Sequence, residues 1–137
     1  MSTGGSTIQR PLAVMMSRRV LSVDVLAPVV EAARMLRDCK IGCLLVSGED
    51  GDYVGIVSET DLVRKVVATE RDPSRVRVSE VMTAPIITIE IDRSAHDASD
   101  LMAERGIRHL AITEDGRIRG MLSVRDLLRY FKNWGAL

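Results

Sequence analysis

The first half of the chain contains the stretch Gly55-Ile56-Val57-Ser58-Glu59-Thr60-Asp61-Leu62, and the second half repeats it as Gly120-Met121-Leu122-Ser123-Val124-Arg125-Asp126-Leu127. Both stretches follow the pattern Gly-x-x-Ser-x-x-Asp-Leu, with apolar residues between the glycine and the serine. This pattern is typical of a strand that ends at the serine and a helix that begins after it, because Ser is a preferred N-cap residue and Asp is favoured in the first helical turn. Each half of the chain is therefore predicted to contain the same strand-to-helix junction.

The similarity between the two halves extends upstream of this junction. Residues 20–25 (VLSVDV) align with residues 86–91 (IITIEI), and Met16-Ser17 aligns with Met82-Thr83. Matched apolar positions between these blocks and the junction keep the same order in both halves. Agreement over several consecutive blocks indicates an internal duplication, and a duplicated unit sets the architecture of the whole fold.

Each copy predicts the element order β-α-β-β-α. The first copy has strands at 20–25, 43–47 and 53–57, a helix opened by Pro28 and a helix at 59–67; the second has strands at 86–91, 109–113 and 118–122, a helix capped by Ser94 and a helix at 124–131. One copy is too small to bury its own sheet well. The predicted fold class is therefore α+β, with two repeats related by pseudo-two-fold symmetry and their sheets packed face to face.

Composition sets the domain plan and the compartment. We expect residues 1–10 to be disordered, repeats at 11–68 and 79–133, a polar linker at 69–78 and a tail at 134–137. Nineteen basic and nineteen acidic residues balance, so no overall field favours nucleic acid or a membrane surface. The absence of a signal peptide and of a membrane span, together with two cysteines (Cys39 and Cys43), predicts a cytoplasmic protein with reduced thiols.

The repeated Gly-x-x-Ser-x-x-Asp block allows two interpretations. In the first, Ser58 with Asp61 and Ser123 with Asp126 are capping boxes that stabilise their helices and bind nothing. In the second, the helix N-terminus binds phosphate and the carboxylate accepts hydrogen bonds from the two vicinal hydroxyls of a ribose. The flanking Val, Ile and Met residues could then form an apolar slot for adenine.

The chain resembles a tandem pair of cystathionine β-synthase (CBS) domains, the arrangement called a Bateman module. The stretches that carry the resemblance are V-M-T-A-P-I-I-T-I at 81–89, I-R-H-L-A-I-T-E-D-G at 107–116 and G-M-L-S-V-R-D-L at 120–127. Matching segments run from about Met16 to Val67 and from Met82 to Phe131. The resemblance implies binding of AMP, ADP, ATP, S-adenosyl ligands or NAD(H) in two clefts between paired sheets.

The resemblance also implies which residues bind. Asp61 and Asp126 would contact ribose, and Ser58 and Ser123 would contact ribose or phosphate. Each cleft would also draw on the loop before the first strand of the other copy. The Asp126 cleft would thus receive Ser17, Arg18, Arg19, Val20 and Leu21, with Arg125 and Arg129 nearby, and the Asp61 cleft would receive Thr83, Ala84, Pro85, Ile86 and Ile87, with Arg64 and Lys65 on its helix.

A third segment implied by the resemblance contributes unequally to the two clefts. Ile107-Arg108-His109 matches a position that often supplies phosphate contacts, whereas its counterpart Ile41-Gly42-Cys43 offers no cation. Arg108 or His109 could serve the Asp61 cleft. The arginines around Asp126 favour that cleft as the tighter one, although each arginine taken singly is better explained as part of a solvated helix face.

No catalytic or metal-binding pattern accompanies these residues. The chain lacks a nucleophile elbow, an H-E-x-x-H helix and a Walker loop, and its Cys and His residues match no metal-ligand spacing. The predicted function is a regulatory sensor that binds an adenine nucleotide and acts on an unidentified effector protein. A self-association scaffold without ligand and a nucleotide hydrolase are the alternatives. The resemblance implies a homodimer of four repeats, formed through helix faces that carry Val63, Val66, Val67, Leu128 and Phe131.

Overall fold

A computed structural model describes residues 11–133, so the predictions for segment 1–10 and tail 134–137 lie outside the described residues. The helices and strands are α1 Pro11–Met15, β1 Ser22–Asp24, α2 Val29–Cys39, β2 Cys43–Ser47, β3 Tyr53–Ser58, α3 Glu59–Leu62 with a following π-helical turn Val63–Val67, α4 Val78–Val81, β4 Thr88–Glu90, α5 Ala95–Arg105, β5 His109–Glu114, β6 Arg117–Ser123 and α6 Val124–Asn133. The α+β class is confirmed, and each repeat contains the order β-α-β-β-α after a short leading helix.

Each repeat builds one three-stranded sheet in the same way. In the first, β1 lies parallel to β2 and β2 lies antiparallel to β3; in the second, β4 lies parallel to β5 and β5 lies antiparallel to β6. The parallel pair in each sheet is joined through a helix, and the antiparallel pair is joined by a short turn. The two strand-to-helix junctions therefore occupy equivalent places, at the ends of β3 and β6.

The described chain forms two compact units, and the division between them does not follow the boundary between the two repeats. One unit consists of residues 21–86, and the other combines residues 11–20 with residues 87–133. Leu12 and Met16, in and just after α1, belong to the hydrophobic core of the second-repeat sheet. Val78 and Val81 of α4 belong to the core of the first-repeat sheet. The segment before the first strand of each repeat therefore packs in the core of the unit that contains the sheet of the other repeat.

The segment 69–78, predicted as a polar linker, is held against the first repeat. The Val29 N–H donates to the Val76 carbonyl oxygen at 2.7 Å, and the Val30 N–H donates to the Pro73 carbonyl oxygen at 2.9 Å. Val76 and Val78 are buried in the core of the same unit. The available signal of burial was the alternation of apolar and polar residues in Val76-Arg77-Val78. The polar run before Pro73 led to the prediction of a linker instead.

Two details of the predicted helices are wrong. Pro28 is not the first helical residue but the extended residue before the helix, which begins at Val29. Val66 and Phe131, predicted to lie on exposed helix faces, are buried in the cores of their units. Val63, Val67 and Leu128 remain exposed, so the apolar faces available for association are narrower than the sequence indicates.

Candidate functional site

Both strand-to-helix junctions form the predicted capping box. The Ser58 Oγ accepts from the Asp61 N–H at 3.2 Å, and the Asp61 Oδ2 accepts from the Ser58 N–H at 3.0 Å. The same reciprocal pair joins Ser123 and Asp126, at 3.1 Å and 2.8 Å. In each box the backbone N–H of the serine reaches only the Oδ2 oxygen. The capping interpretation therefore accounts for one carboxylate oxygen of each Asp and leaves the role of the other, Oδ1, to be decided by its surroundings.

The loop before each repeat's first strand pairs with the edge strand that leads into a junction. Ser17 exchanges two backbone hydrogen bonds with Met121 of β6, at 2.8 Å and 2.9 Å. Thr83 exchanges two with Ile56 of β3, at 2.7 Å and 2.9 Å. The structure thus brings Ser17 beside the strand that ends at Ser123, and Thr83 beside the strand that ends at Ser58. This is the pairing of loops with junctions that the sequence resemblance implies.

The glycine of each Gly-x-x-Ser-x-x-Asp block permits this close pairing. A Cβ atom on Gly120 would lie 2.7 Å from the Ser17 carbonyl oxygen, and a Cβ atom on Gly55 would lie 2.9 Å from the Thr83 carbonyl oxygen. Both distances are shorter than van der Waals contact, and the two oxygens belong to the backbone, while the Met16 and Met82 sulfurs lie equally close to the new Cβ atoms. The glycine therefore serves the approach of the loop to the strand rather than the helix cap.

The start of the middle strand completes the second junction. The Val124 N–H donates to the Arg108 carbonyl oxygen at 2.9 Å, and His109 lies opposite Ser123 in the β5–β6 register. These contacts place Arg108 and His109 beside the junction of Asp126, in the same compact unit. The sequence interpretation assigned Arg108 or His109 to the Asp61 cleft, and that assignment stays a prediction.

The Asp61 carboxylate is surrounded by donors from its own chain. The Ser58 N–H and Oγ bind Oδ2, while the Thr83 Oγ1 donates to Oδ1 at 3.0 Å and the Lys65 Nζ lies 2.8 Å from Oδ1. The Lys65 Nζ also donates to the Val81 carbonyl oxygen at 2.9 Å. The Asp61 side chain is 8% exposed. Both of its oxygens are therefore used in holding α3, the π-helical turn and α4 together.

The Asp126 carboxylate has a different environment. Its Oδ2 accepts from the Ser123 N–H, and its Oδ1 lies 3.7 Å from the Arg129 Nη1, beyond hydrogen-bond distance. The Ser17 Oγ, which corresponds to the Thr83 Oγ1, instead accepts from the Arg19 N–H at 3.3 Å. The Asp126 side chain is 19% exposed. Within residues 11–133, Oδ1 of Asp126 thus lacks the two donors that hold Oδ1 of Asp61.

Sequence reasoning missed this difference between the two acids. Lys65 was grouped with Arg64 as a cation near the Asp61 cleft, whereas it forms an ion pair with Asp61 itself. The signal was the spacing, because acidic and basic residues four apart meet on one helix face. The equivalent position in the second copy is Tyr130, which packs edge-on against Phe131 at a ring-centroid distance of 5.6 Å.

The remaining predicted site residues are distributed between the same two units. Of these predicted residues, the Asp126 unit contains the exposed cations Arg18, Arg19, Arg108 and Arg125 and the half-buried residues Val20, Ile107 and His109. Exposed Pro85 and half-buried Ile86 follow Thr83 in the Asp61 unit. The Asp126 unit therefore contains more of the predicted cations than the Asp61 unit.

An apolar groove lies on the helical side of the Asp126 unit. It has a volume of about 450 Å³ and runs between α5 and α6, where Met102, Leu127 and Leu128 line it. Ile107 and Arg108 line the same groove, so part of the segment predicted to contact phosphate also borders a helix-packing surface. Among the described residues no cluster of three His, Cys, Asp or Glu side chains could hold a metal ion.

Comparison with known protein families agrees with the duplicated architecture. The family model of the CBS domain matches residues 12–68 and again residues 78–133. The chain belongs to the CBS-domain family. Pairs of CBS domains are generally regulatory or signal-transduction modules. Within the described range, none of the helices combines the length and apolar character that crossing a membrane requires.

Relatives and solved structures with CBS domains cover most of this chain. An uncharacterised protein of Methanopyrus kandleri is 34% identical over 113 residues, which are 82% of this chain and 58% of that protein. A CBS-domain protein of Burkholderia ambifaria is 35% identical, with a TM-score of 0.79 and 82% of each chain covered. A hexameric CBS-CP12 protein from bloom-forming cyanobacteria is 31% identical, with a TM-score of 0.77 over 84% of this chain and 67% of that chain. This CBS pair thus spans less than two thirds of the length of its Methanopyrus relative.

Cys43 provides a test of burial beside the Asp61 junction of the CBS pair. Burial raises the pKa of the Cys43 thiol from 9.0 to about 12, and the Asp61 carboxylate adds to the shift. Because the thiolate is the reactive form, we expect the Cys39→Ser variant to react with a thiol reagent at pH 8 at least about tenfold more slowly when folded than in urea. Because folding raises the pKa of the Cys43 thiol, the full contribution of this thiol to the free energy of unfolding is present below pH 9. That contribution is lost as the pH rises from 9 toward 12. Equal labelling rates with and without urea would contradict the burial of Cys43.

Proposed function

We propose that this protein is a regulatory module that binds an adenine nucleotide at the Asp126 junction and has no catalytic activity of its own. The supporting observation is the Oδ1 oxygen of Asp126, which is partly exposed and lacks the donors that hold its counterpart in Asp61. A carboxylate oxygen in this state can accept hydrogen bonds from the 2′- and 3′-hydroxyls of a ribose, because vicinal hydroxyls are paired donors.

The surroundings of Asp126 suit the phosphate end of a nucleotide. Helix α6 is ten residues long, so its N-terminus carries a positive dipole end, although the Val124 and Asp126 N–H groups already donate to the Arg108 carbonyl oxygen and the Ser123 Oγ. Arg18 and Arg19 directly follow Ser17, which is bonded to β6, and both are exposed. Arginine recognises phosphate through paired N–H donors. A nucleotide with its ribose on Asp126 would therefore bind in the unit that contains these exposed arginines.

The ligand classes proposed are AMP, ADP, ATP, NAD(H) and S-adenosyl compounds, which share adenine and ribose. The binding signal would pass to an effector protein whose identity the chain does not indicate. A cytoplasmic location, with Cys39 and Cys43 reduced, is part of the same proposal. No metal ion is needed for the fold proposed here.

A ligand panel tests this function. We expect one or more of AMP, ATP, NADH and S-adenosylmethionine to raise the melting temperature, because a ligand at a hundred times its Kd stabilises a folded protein by about 2.7 kcal/mol. 2′,3′-Dideoxy-ATP and free adenine are the matched controls, since they lack the hydroxyls that Asp126 would bind. The proposal fails if no adenine compound binds below millimolar concentration in calorimetry, or if the dideoxy compound binds as tightly as ATP.

A scaffold that self-associates without a ligand is the second candidate. It is favoured by the Asp61 carboxylate, whose hydrogen bonds are all structural, and by the apolar groove beside Leu128. CBS modules commonly form oligomers, and we propose a homodimer of four repeats for this chain. Sedimentation of the ligand-free and ligand-saturated protein separates the two candidates, because only the first requires a ligand.

A further inference from the structure

The two acids of the repeated motif differ in one neighbour that the chain itself supplies. We infer that Lys65 occupies the first-repeat site in place of a ligand, so that each chain binds one nucleotide, at Asp126, rather than two. This inference rests on the proposed function, which places the ribose on Asp126, and adds the stoichiometry and the residue that sets it.

The ammonium group of Lys65 lies on the Oδ1 side of Asp61, which corresponds to the side of Asp126 proposed to bind ribose. It lies 2.8 Å from the Asp61 Oδ1 and donates to the Val81 carbonyl oxygen at 2.9 Å. Its two acceptors come from α3 and α4, which are distant in sequence and belong to the same compact unit. A ribose hydroxyl at Asp61 would have to displace this charged donor and leave the ammonium group without its carboxylate partner, which is unfavourable.

The Thr83 hydroxyl also occupies the Asp61 Oδ1 oxygen. It donates to the same Oδ1 at 3.0 Å, so that oxygen already accepts from two donors. The Asp61 Oδ2 accepts from the Ser58 N–H and Oγ. A carboxylate offers about four lone-pair sites in all. The donors of this unit therefore saturate Asp61, and its side chain is correspondingly buried.

The backbone differs at the same place. After Leu62 the chain forms a π-helical turn, Val63–Val67, which includes Lys65, whereas α6 continues as a regular α-helix through the equivalent Tyr130. Single π turns are rare and occur frequently at functional positions. The local geometry and the residue type thus both distinguish the first junction from the second.

Exchange of the two residues tests the inference, with AMP as the calorimetric probe. We expect one AMP per wild-type chain and two per Lys65→Tyr chain, because that substitution gives the first site the residue of the second. The reverse variant, Tyr130→Lys, should weaken AMP binding at Asp126 by about tenfold or more, because it introduces a cation four residues from the acid. Lys65→Met, which keeps most of the aliphatic stem without the charge, replaces Lys65→Tyr if the tyrosine variant does not fold.

The possible outcomes separate this inference from the proposed function. Two AMP molecules on the wild-type chain, or a stoichiometry that stays at one in both Lys65 variants, would overturn the inference and leave nucleotide binding intact. A wild-type chain that does not bind AMP, beside a Lys65 variant that binds one, would support the blocking role of Lys65 but refute the Asp126 proposal and the stoichiometry of one. Absence of AMP binding in every variant would refute both.

Discussion

Replacement of Asp126 by Ala is expected to weaken nucleotide binding by about 10- to 150-fold. Hydrogen bonds to a charged group contribute about 1.5–3 kcal/mol, and a tenfold change in Kd corresponds to about 1.4 kcal/mol. Asp126→Asn should lose most of the same affinity, because it can keep the acceptor for the Ser123 N–H but removes the charge. Isothermal titration calorimetry with the tightest nucleotide of the panel measures both variants.

Asp97 supplies a matched control for the loss of a helix cap. It closes the capping box of α5 with Ser94, as Asp126 does for α6 with Ser123, and no described contact links it to the candidate site. Asp97→Ala should therefore lower the melting temperature without changing nucleotide affinity. Equal affinities of wild type, Asp126→Ala and Asp97→Ala would remove Asp126 from the site.

Replacement of Gly120 by Ala is expected to destabilise the protein by about 3–5 kcal/mol and to abolish ligand binding at Asp126. The new Cβ atom would lie 2.7 Å from the Ser17 carbonyl oxygen, so the loop must move away from β6. The movement would strain the packing, which typically costs about 1–3 kcal/mol. It would also break the two hydrogen bonds between Ser17 and Met121, at about 1 kcal/mol per bond. Thermal unfolding and calorimetry measure the two effects.

The double variant Gly120→Ala/Met16→Ala tests the stated cause. The Met16 Sδ would also lie 2.7 Å from the new Cβ atom, so a purely side-chain clash would be relieved by shortening Met16. Because the Ser17 carbonyl is backbone, we expect the double variant to remain as unstable as Gly120→Ala or to become less stable. A Gly120→Ala protein with the wild-type melting temperature would show that the loop does not lie against β6.

The sequence predicted the elements of the fold because local signals and the duplication agreed. The β-branched runs, the N-cap serines and the repeated glycine each indicate the same junction, and the bounds of β2 match residue for residue. The linker at 69–78 stays a prediction, but its polar composition did not indicate that Val76 and Val78 are buried in the core of the first-repeat sheet. Composition favoured a polar loop, and packing favoured burial.

The difference between the two candidate sites could not be predicted from the motif. Ser58 with Asp61 and Ser123 with Asp126 have the same spacing, and their capping boxes have nearly the same geometry. The difference comes from Lys65, whose side chain reaches Asp61 through a π-helical turn that the sequence did not indicate. The preference for the Asp126 site was reached from the number of nearby arginines, and it stays a prediction.

A crystal structure of the chain with AMP tests the central claim most directly. The account predicts density for AMP with the ribose 2′- and 3′-hydroxyls within about 3.2 Å of the Asp126 carboxylate and with Lys65 still bonded to Asp61. AMP density in another place, or a ribose on Asp61 with Lys65 displaced, would contradict it.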